Sequence, residues 1–239
     1  MTGGSAQGLV YGLCEGFGNA IDSAQVLHTG FGHAAHAAEA AVSLPADVHP
    51  RPGPDRGIVF QDATLFPWLS VEDNIAFGLS LRANRGKGSR EQVVERMLQR
   101  TGLSAFRQRK PAELSGGMRQ RAAIASVLAI NPSTLLMDEP FGALDSLTRS
   151  IMQDFLLEIW EEQRKTVVLV THDIDEAIYL ADRTVVMTAH PGRICEIIDV
   201  DLPRPRRYEM RSDAAFIRLR DHVTEIVRTE AIQGAVASA

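Results

Sequence analysis

Lysine is almost missing from this chain of 239 residues, which has it only at Lys87, Lys110 and Lys165. A loop that grips phosphate with an ammonium group therefore has few places to be. Cysteine is equally sparse. Cys14 and Cys195 have no second Cys or His at metal-ligand spacing, which argues against a disulfide framework or zinc site and for a reducing compartment; two buried or idle thiols are expected. Residues 1–50 contain neither Lys nor Arg, so they lack the basic start of a secretory signal. No apolar run approaches the roughly 20 residues of a membrane-spanning helix. A cytoplasmic chain that meets membranes only through a partner is expected. The net charge of −5 and pI near 5.8 provide no general attraction to nucleic acid, and no nucleic-acid partner is expected.

What is present suffices for a large α/β domain with a smaller lobe. Hydrophobic residues make up 45% of the chain, too many for a disordered protein. A seam falls near residue 51. Residues 1–51 form an atypical Gly/Ala-rich segment; residues 1–50 hold four of the seven histidines and show none of the turn-bounded apolar runs that follow. Beyond the seam, GIVFQ (57–61) and the stretches 134–138, 166–171 and 183–188 read as strands, separated by segments of helical spacing. That alternation predicts a parallel sheet with crossover helices. Residues 71–130 are helical in pattern, most clearly at 90–103 and 117–129, and read as an inserted lobe. A turn at HPGR (190–193), a strand in ICEIIDVDL (194–202), a polar proline-containing link at 203–208 and an amphipathic helix at 213–230 complete the chain.

Three segments carry candidate chemistry. ELSGGMRQRAAIA (113–125) sets Ser115, Gly116 and Gly117 before a helix, where free amides and the helix dipole suit a phosphate; the same pattern also serves as a plain N-cap. TLLMDEP (134–140) is an apolar strand that delivers Asp138 and Glu139 to its carboxyl end, where open α/β sheets bind ligands. Asp138 is a candidate for holding Mg²⁺ through water and Glu139 for orienting or deprotonating an attacking water; an isolated Asp-Glu pair is otherwise a solvated loop. VVLVTHD (167–173) ends a second buried strand in His172, placed to contact a terminal phosphate if its strand neighbours that of Glu139.

In this order, Gln61 after a strand, LSGGMRQR, LLMDEPFGALD and VTHD resemble the ATP-binding subunit of ABC transporters, from about residue 52 to the C-terminus. The resemblance implies a P-loop NTPase-like (RecA-like) α/β core with an inserted helical subdomain at about 71–130, a catalytic core at about 134–200 and a C-terminal helix at about 213–230. It implies ATP with Mg²⁺ as cofactor. Gln61 is then the Q-loop glutamine and, with Asp138, a metal contact; Ser115, Gly116 and Gly117 are the signature core, Glu139 the catalytic glutamate, Asp145 the D-loop aspartate and His172 the switch histidine. Residues 52–79 look like the nitrate/sulfonate/taurine group of importers, including the Phe66-Pro67-Trp68 segment where such subunits meet their permease. The implied partners are a second ATPase subunit, as homo- or heterodimer, membrane permease subunits on the cytoplasmic face and, indirectly, a solute-binding protein. Ser126 stands where the family commonly has Arg.

The phosphate loop of that family, G-x-x-x-x-G-K-[ST], cannot be found. Lys87 in RGKGS (85–89) precedes Gly88 and has Leu81 where the first Gly belongs; Lys110 precedes Pro111, and Lys165 follows Arg164. RGKGS is read as a solvated turn. The expected upstream region, 12–40, has glycines but no Lys, and Tyr11 is no convincing adenine stacker. Two accounts stay open: an altered reading frame or gene start upstream of residue 51, or a subunit that has lost hydrolysis and acts as an interaction partner. A DNA-repair ATPase sharing these motifs would need a long coiled coil between Gln61 and Leu114, for which there is no room.

Overall fold

In the computed structural model, the described residues are 9–14, 55–81, 89–188 and 193–237, without the side chains of 9–14 and 233–237. Most of the 1–51 segment, nearly all of RGKGS and most of HPGR lie outside them. The chain divides into two compact units, Pro52–Leu169 and Val170–Ala239 with Met1–Arg51.

In the first of these units, strand β2 (Arg56–Val59) runs parallel to β3 (Thr134–Asp138), pairing Val59 with Met137, and β4 (Thr166–Thr171) is the next neighbour of β3. Helices α1 (Val71–Ser80), α2 (Arg90–Arg100) and α3 (Gly116–Ala129) follow β2, as the apolar spacing at 71–130 predicts. Ser70 caps α1 by accepting the Asp73 amide at 3.0 Å, and Ser89 caps α2. α1 buries Val71 and Ile75, while α3 buries Ala122, Ile124 and Ala125. The two helices approach closely because Gly78 has no side chain: a Cβ there would lie 2.5 Å from Ile130. The long helix α4 (Ser146–Gln163) runs between β3 and β4 in sequence and stops at Arg164, whose φ of 47° is left-handed. Lys165 is 6% exposed, with its ammonium held by the Asn131 side chain and the Pro132 carbonyl. One of the three lysines is thus committed to closing the end of α3.

The other unit contains β1 (Leu9–Cys14), α5 (Ile174–Leu180), β5 (Arg183–Met187), β6 (Ile194–Asp199) and α6 (Ala214–Ala237). Here the parallel pairing expected from the strand–helix alternation does not continue: β5 pairs antiparallel with both β1 and β6. The connection over 188–193 is shorter than the dozen or so residues a parallel crossover needs, so β5 and β6 form a hairpin-like pair. Residues 1–50, read as lacking the turn-bounded apolar runs of the later chain, nonetheless contain the strand β1. Of the expected buried or idle thiols, Cys195 is exposed rather than buried. It donates to Glu230 at 3.6 Å, and desolvation together with the Glu230 and Glu196 carboxylates pushes its pKa up, away from the thiolate form that reacts.

Candidate nucleotide site

The register of β2 and β3 sets the first element of the site. With Val59 beside Met137, two further steps along parallel strands bring Gln61 level with Glu139, and the Gln61 Nε2 donates to Glu139 Oε2 at 3.0 Å. Alternation along β3 buries Leu135 and Met137 and turns Asp138 outward at the carboxyl end. The backbone then breaks sharply. Glu139 has φ of 42°, a left-handed conformation unfavourable for a residue with a side chain, and its carbonyl accepts the Gly142 amide at 3.2 Å to close a turn around buried Phe141. Strain of this kind collects at working sites, and here the carboxylate meets Gln61.

α3 gathers the remaining motifs of this unit. Ser115 is the N-cap, accepting the Met118 amide at 3.3 Å, so the bland reading of the Ser-Gly-Gly pattern is physically present; Ser115 and Gly116 are exposed, and a Cβ on Gly116 would meet nothing within 4 Å. Gly117 is more confined, since a Cβ there would lie 3.3 Å from Leu144 and 3.5 Å from the Ala143 carbonyl. The Ser-Gly-Gly segment thereby packs close to the FGALD turn. Asp145 ends that turn and caps α4: the Thr148 amide donates to its carboxylate at 3.0 Å and holds its pKa below the usual range. Further along α3, Arg121 donates to the Thr101 carbonyl at 2.6 Å; burial lowers its pKa and the Asp145 charge opposes that shift. Gln120, 2% exposed, donates to the Phe60 carbonyl at 3.1 Å, directly before Gln61. Gln61, Asp138, Glu139, Ser115 to Gly117 and Asp145 therefore belong to one connected arrangement.

His172 belongs to the other unit. It is exposed, between two residues tied to one another: Thr171 Oγ accepts the Asp173 amide at 3.0 Å and donates to buried Glu176, while Asp173 caps α5 by accepting the Glu176 amide at 3.1 Å. Sequence reading missed Glu176 and Gln120, as well as Asn74, which is 4% exposed and pins the loop before α1 by accepting the Phe66 amide at 2.8 Å and donating to the carbonyls of Phe66, Leu69 and Ser70. The available signal was a polar residue at an apolar helical position.

The donor set fits a magnesium–nucleotide complex better than a bare ion. Among the described residues no group of three or more His, Cys, Asp or Glu is arranged to hold a metal. Mg²⁺ needs only one or two protein oxygens when phosphate and water supply the others, and the outward Asp138 carboxylate and the Gln61 carboxamide oxygen are of that kind. Neither described lysine resembles a phosphate grip, because Lys165 is engaged as above and Lys110 stands at the start of a 3₁₀ turn before Pro111.

Comparison with known proteins agrees with this geometry. A family model described as ABC transporter matches residues 33–142. An uncharacterized ABC transporter ATP-binding protein of Methanocaldococcus jannaschii is 48% identical over 182 residues, 76% of this chain and 67% of that protein. The nitrate import ATP-binding protein NrtD of Synechococcus elongatus is 45% identical over 179 residues, 74% of this chain and 65% of its own length, and the bicarbonate transport ATP-binding protein CmpC of the same species is 50% identical over 171 residues, 71% of this chain but 26% of its own. This chain spans about two thirds of the first two relatives. Among solved structures, a dimeric ATP-binding cassette in a post-hydrolysis state bound to ADP and Pi superposes with a TM-score of 0.55 at 34% identity, covering 62% of this chain and 64% of that one. With the Gln61–Glu139 pair, the capped signature helix and the outward Asp138 in one α/β unit, the chain belongs to the ATP-binding cassette family of ABC transporters, an ATP-hydrolysing enzyme class.

Proposed function

We propose that this chain is the ATP-binding subunit energising an ABC importer for a small anionic or sulfur- or nitrogen-containing solute, nitrate-, sulfonate- or taurine-like, and that its own hydrolysis is curtailed. The observation that carries the first half is the side-by-side placement of Gln61 and Glu139 at the carboxyl ends of parallel strands. The relatives named for nitrate import and bicarbonate transport support the solute class. The curtailment follows from the sequence, in which no lysine sits in a phosphate loop. In this reading Glu139 orients or deprotonates water, Asp138 and Gln61 contact Mg²⁺, Ser115 to Gly117 serve the phosphate of a partner subunit, Asp145 lies at the D-loop and His172 contacts the terminal phosphate. The functional unit is a homo- or heterodimer on cytoplasmic faces of permease subunits, with a solute-binding protein acting at one remove. Among the described residues no helix is long and apolar enough to cross a membrane.

Steady-state phosphate release by the purified chain with Mg-ATP tests this. Low turnover, little changed by Glu139→Gln, is expected. Turnover like that of an intact family member, abolished by Glu139→Gln, would overturn the curtailment.

A reading as a non-catalytic interaction subunit draws on a separate observation. Trp68 is 67% exposed, and the Phe66 ring centroid lies 5.5 Å from that of Trp68 and 4.5 Å from that of Phe77, forming an aromatic surface held up by Asn74. Exposed aromatics beside a proline make a good anchor for a permease helix. Trp68→Ala is expected to weaken co-purification with the permease without lowering the melting temperature. Loss of folding instead would make Trp68 a packing residue.

A further inference from the structure

We infer that Arg206 is a positioning residue for His172, acting through the short helix between them. The inference rests on the reading of His172 as the phosphate-contacting histidine, but its test reads the position of the ring and requires no turnover. α5 has seven residues, far below the length at which a helix holds together unaided, so its orientation depends on what secures its two ends. The first turn is secured by Asp173, Thr171 and Glu176 as described above. The last turn exposes carbonyls with no donor inside the helix. Arg206 supplies that donor: Nη1 donates to the carbonyls of Ile178 at 2.8 Å, Tyr179 at 3.1 Å and Ala181 at 2.9 Å, and Nη2 reaches the Val200 carbonyl at 3.4 Å.

The surroundings of this guanidinium favour a latch over a chance contact. Its side chain is 1% exposed, and Asp182 Oδ1 lies 3.6 Å away to offset the buried charge. Asp182 is itself gripped by Arg204 at 2.6 and 3.0 Å, and Arg204 also donates to the Leu180 carbonyl at 3.2 Å. The Arg211 guanidinium stacks 4.3 Å from the centroid of the Tyr179 ring. Three arginines from the segment after β6 thus converge on one helix C-terminus, where a cation is also favoured by the dipole. The two arms of the fork face different groups, Nη1 the carbonyls at the end of α5 and Nη2 the Val200 carbonyl and Asp182, and a single ammonium on a shorter stem cannot serve both sides. With both ends held over a helix about 10 Å long, a loosened Arg206 end lets α5 tilt about its first turn, and the Asp173 cap passes that tilt to the neighbouring His172. This gives the polar proline-containing link at 203–208 a role beyond joining β6 to α6.

The experiment uses the full chain with ¹³C-labelled histidine, His172 being assigned by comparison with His172→Gln. Arg206→Lys is expected to shift and broaden the His172 ring signal and to speed amide exchange in α5 by about tenfold or more, while the ring signal of His222 on α6 stays in place. Asp182→Asn keeps every carbonyl contact of Arg206 but removes the counter-charge, and should move the same two readouts by less; it decides the matter if Arg206→Lys does not fold. Faster α5 exchange with an unmoved His172 signal would make Arg206 a purely structural cap and overturn the proposal. Unchanged exchange would show that there is no latch at all.

Discussion

Glu139 and His172, the two residues proposed for the chemistry, stand in different local settings. Glu139 stands on a left-handed backbone, and an exposed Gln61 donates to its carboxylate at 3.0 Å. His172 lies between Thr171 and Asp173, which are tied to each other and to a buried Glu176, ahead of a helix latched at its far end. A strained residue with an exposed tether can be redirected when a ligand or partner takes its glutamine. A residue embedded in a satisfied buried network is set before any ligand arrives. The contrast separates a carboxylate on strained backbone from a histidine whose neighbours in the chain are fixed.

The largest effect that would sharpen this contrast is expected in a heterodimer with an intact relative. There Ser115→Arg in this chain should suppress phosphate release by about 10²-fold or more, because it crowds the one complete site. Glu139→Gln should leave release nearly unchanged. Equal and large losses from both would show that this chain has a working phosphate site of its own and break the contrast.

Next in size is stability. Glu176→Ala removes a buried acceptor from Thr171 and should cost roughly 1–3 kcal/mol, a fall of several degrees in melting temperature, whereas Gln61→Ala should stay within about 0.5 kcal/mol. Equal losses in a thermal melt would mean that the Gln61 tether is as structural as the Glu176 one. Smaller still, Glu139→Gly should raise stability by about 0.5–1 kcal/mol in a denaturant titration by relieving the left-handed backbone; a loss there would mean that the carboxylate contributes more than the strain costs.

The smallest effect concerns acid. The folded pKa of Asp145 is depressed by the Thr148 amide, so its capping contribution is complete above the ordinary aspartate value and is lost as pH falls through the lower folded one. Protection of the Thr148 amide should therefore decline below about pH 3.9, and Asp145→Asn, an equally good cap without the charge, should abolish that decline. Hydrogen exchange measured across the acid range checks it.

Much of this was legible in the sequence for specific reasons. TLLMD and TVVLVT announced β3 and β4 through apolar residues of β-branched or strand-forming type, and RQRAAIASVLA announced α3 through its spacing. The motif residues could be named because glycine, acid and histidine at strand and helix ends leave few chemical alternatives. The antiparallel pairing of β5 was not legible, since local pattern carries no strand direction. Neither were Asn74, Glu176 and Arg206, whose burial depends on segments brought in from elsewhere in the chain.

By itself the sequence determined the fold class, the order of the motifs and the scarcity of lysine. Those are properties of residue type and local spacing, which short-range sterics and apolar periodicity impose wherever the chain goes. Tertiary structure alone decided that Gln61 lies beside Glu139, that Gly117 meets Ala143 and that Arg206 closes the end of α5. Each joins residues from separate segments, and only strand register and helix packing fix distances of that kind, because a hydrogen bond near 3 Å depends on where both of its ends are carried by the rest of the fold.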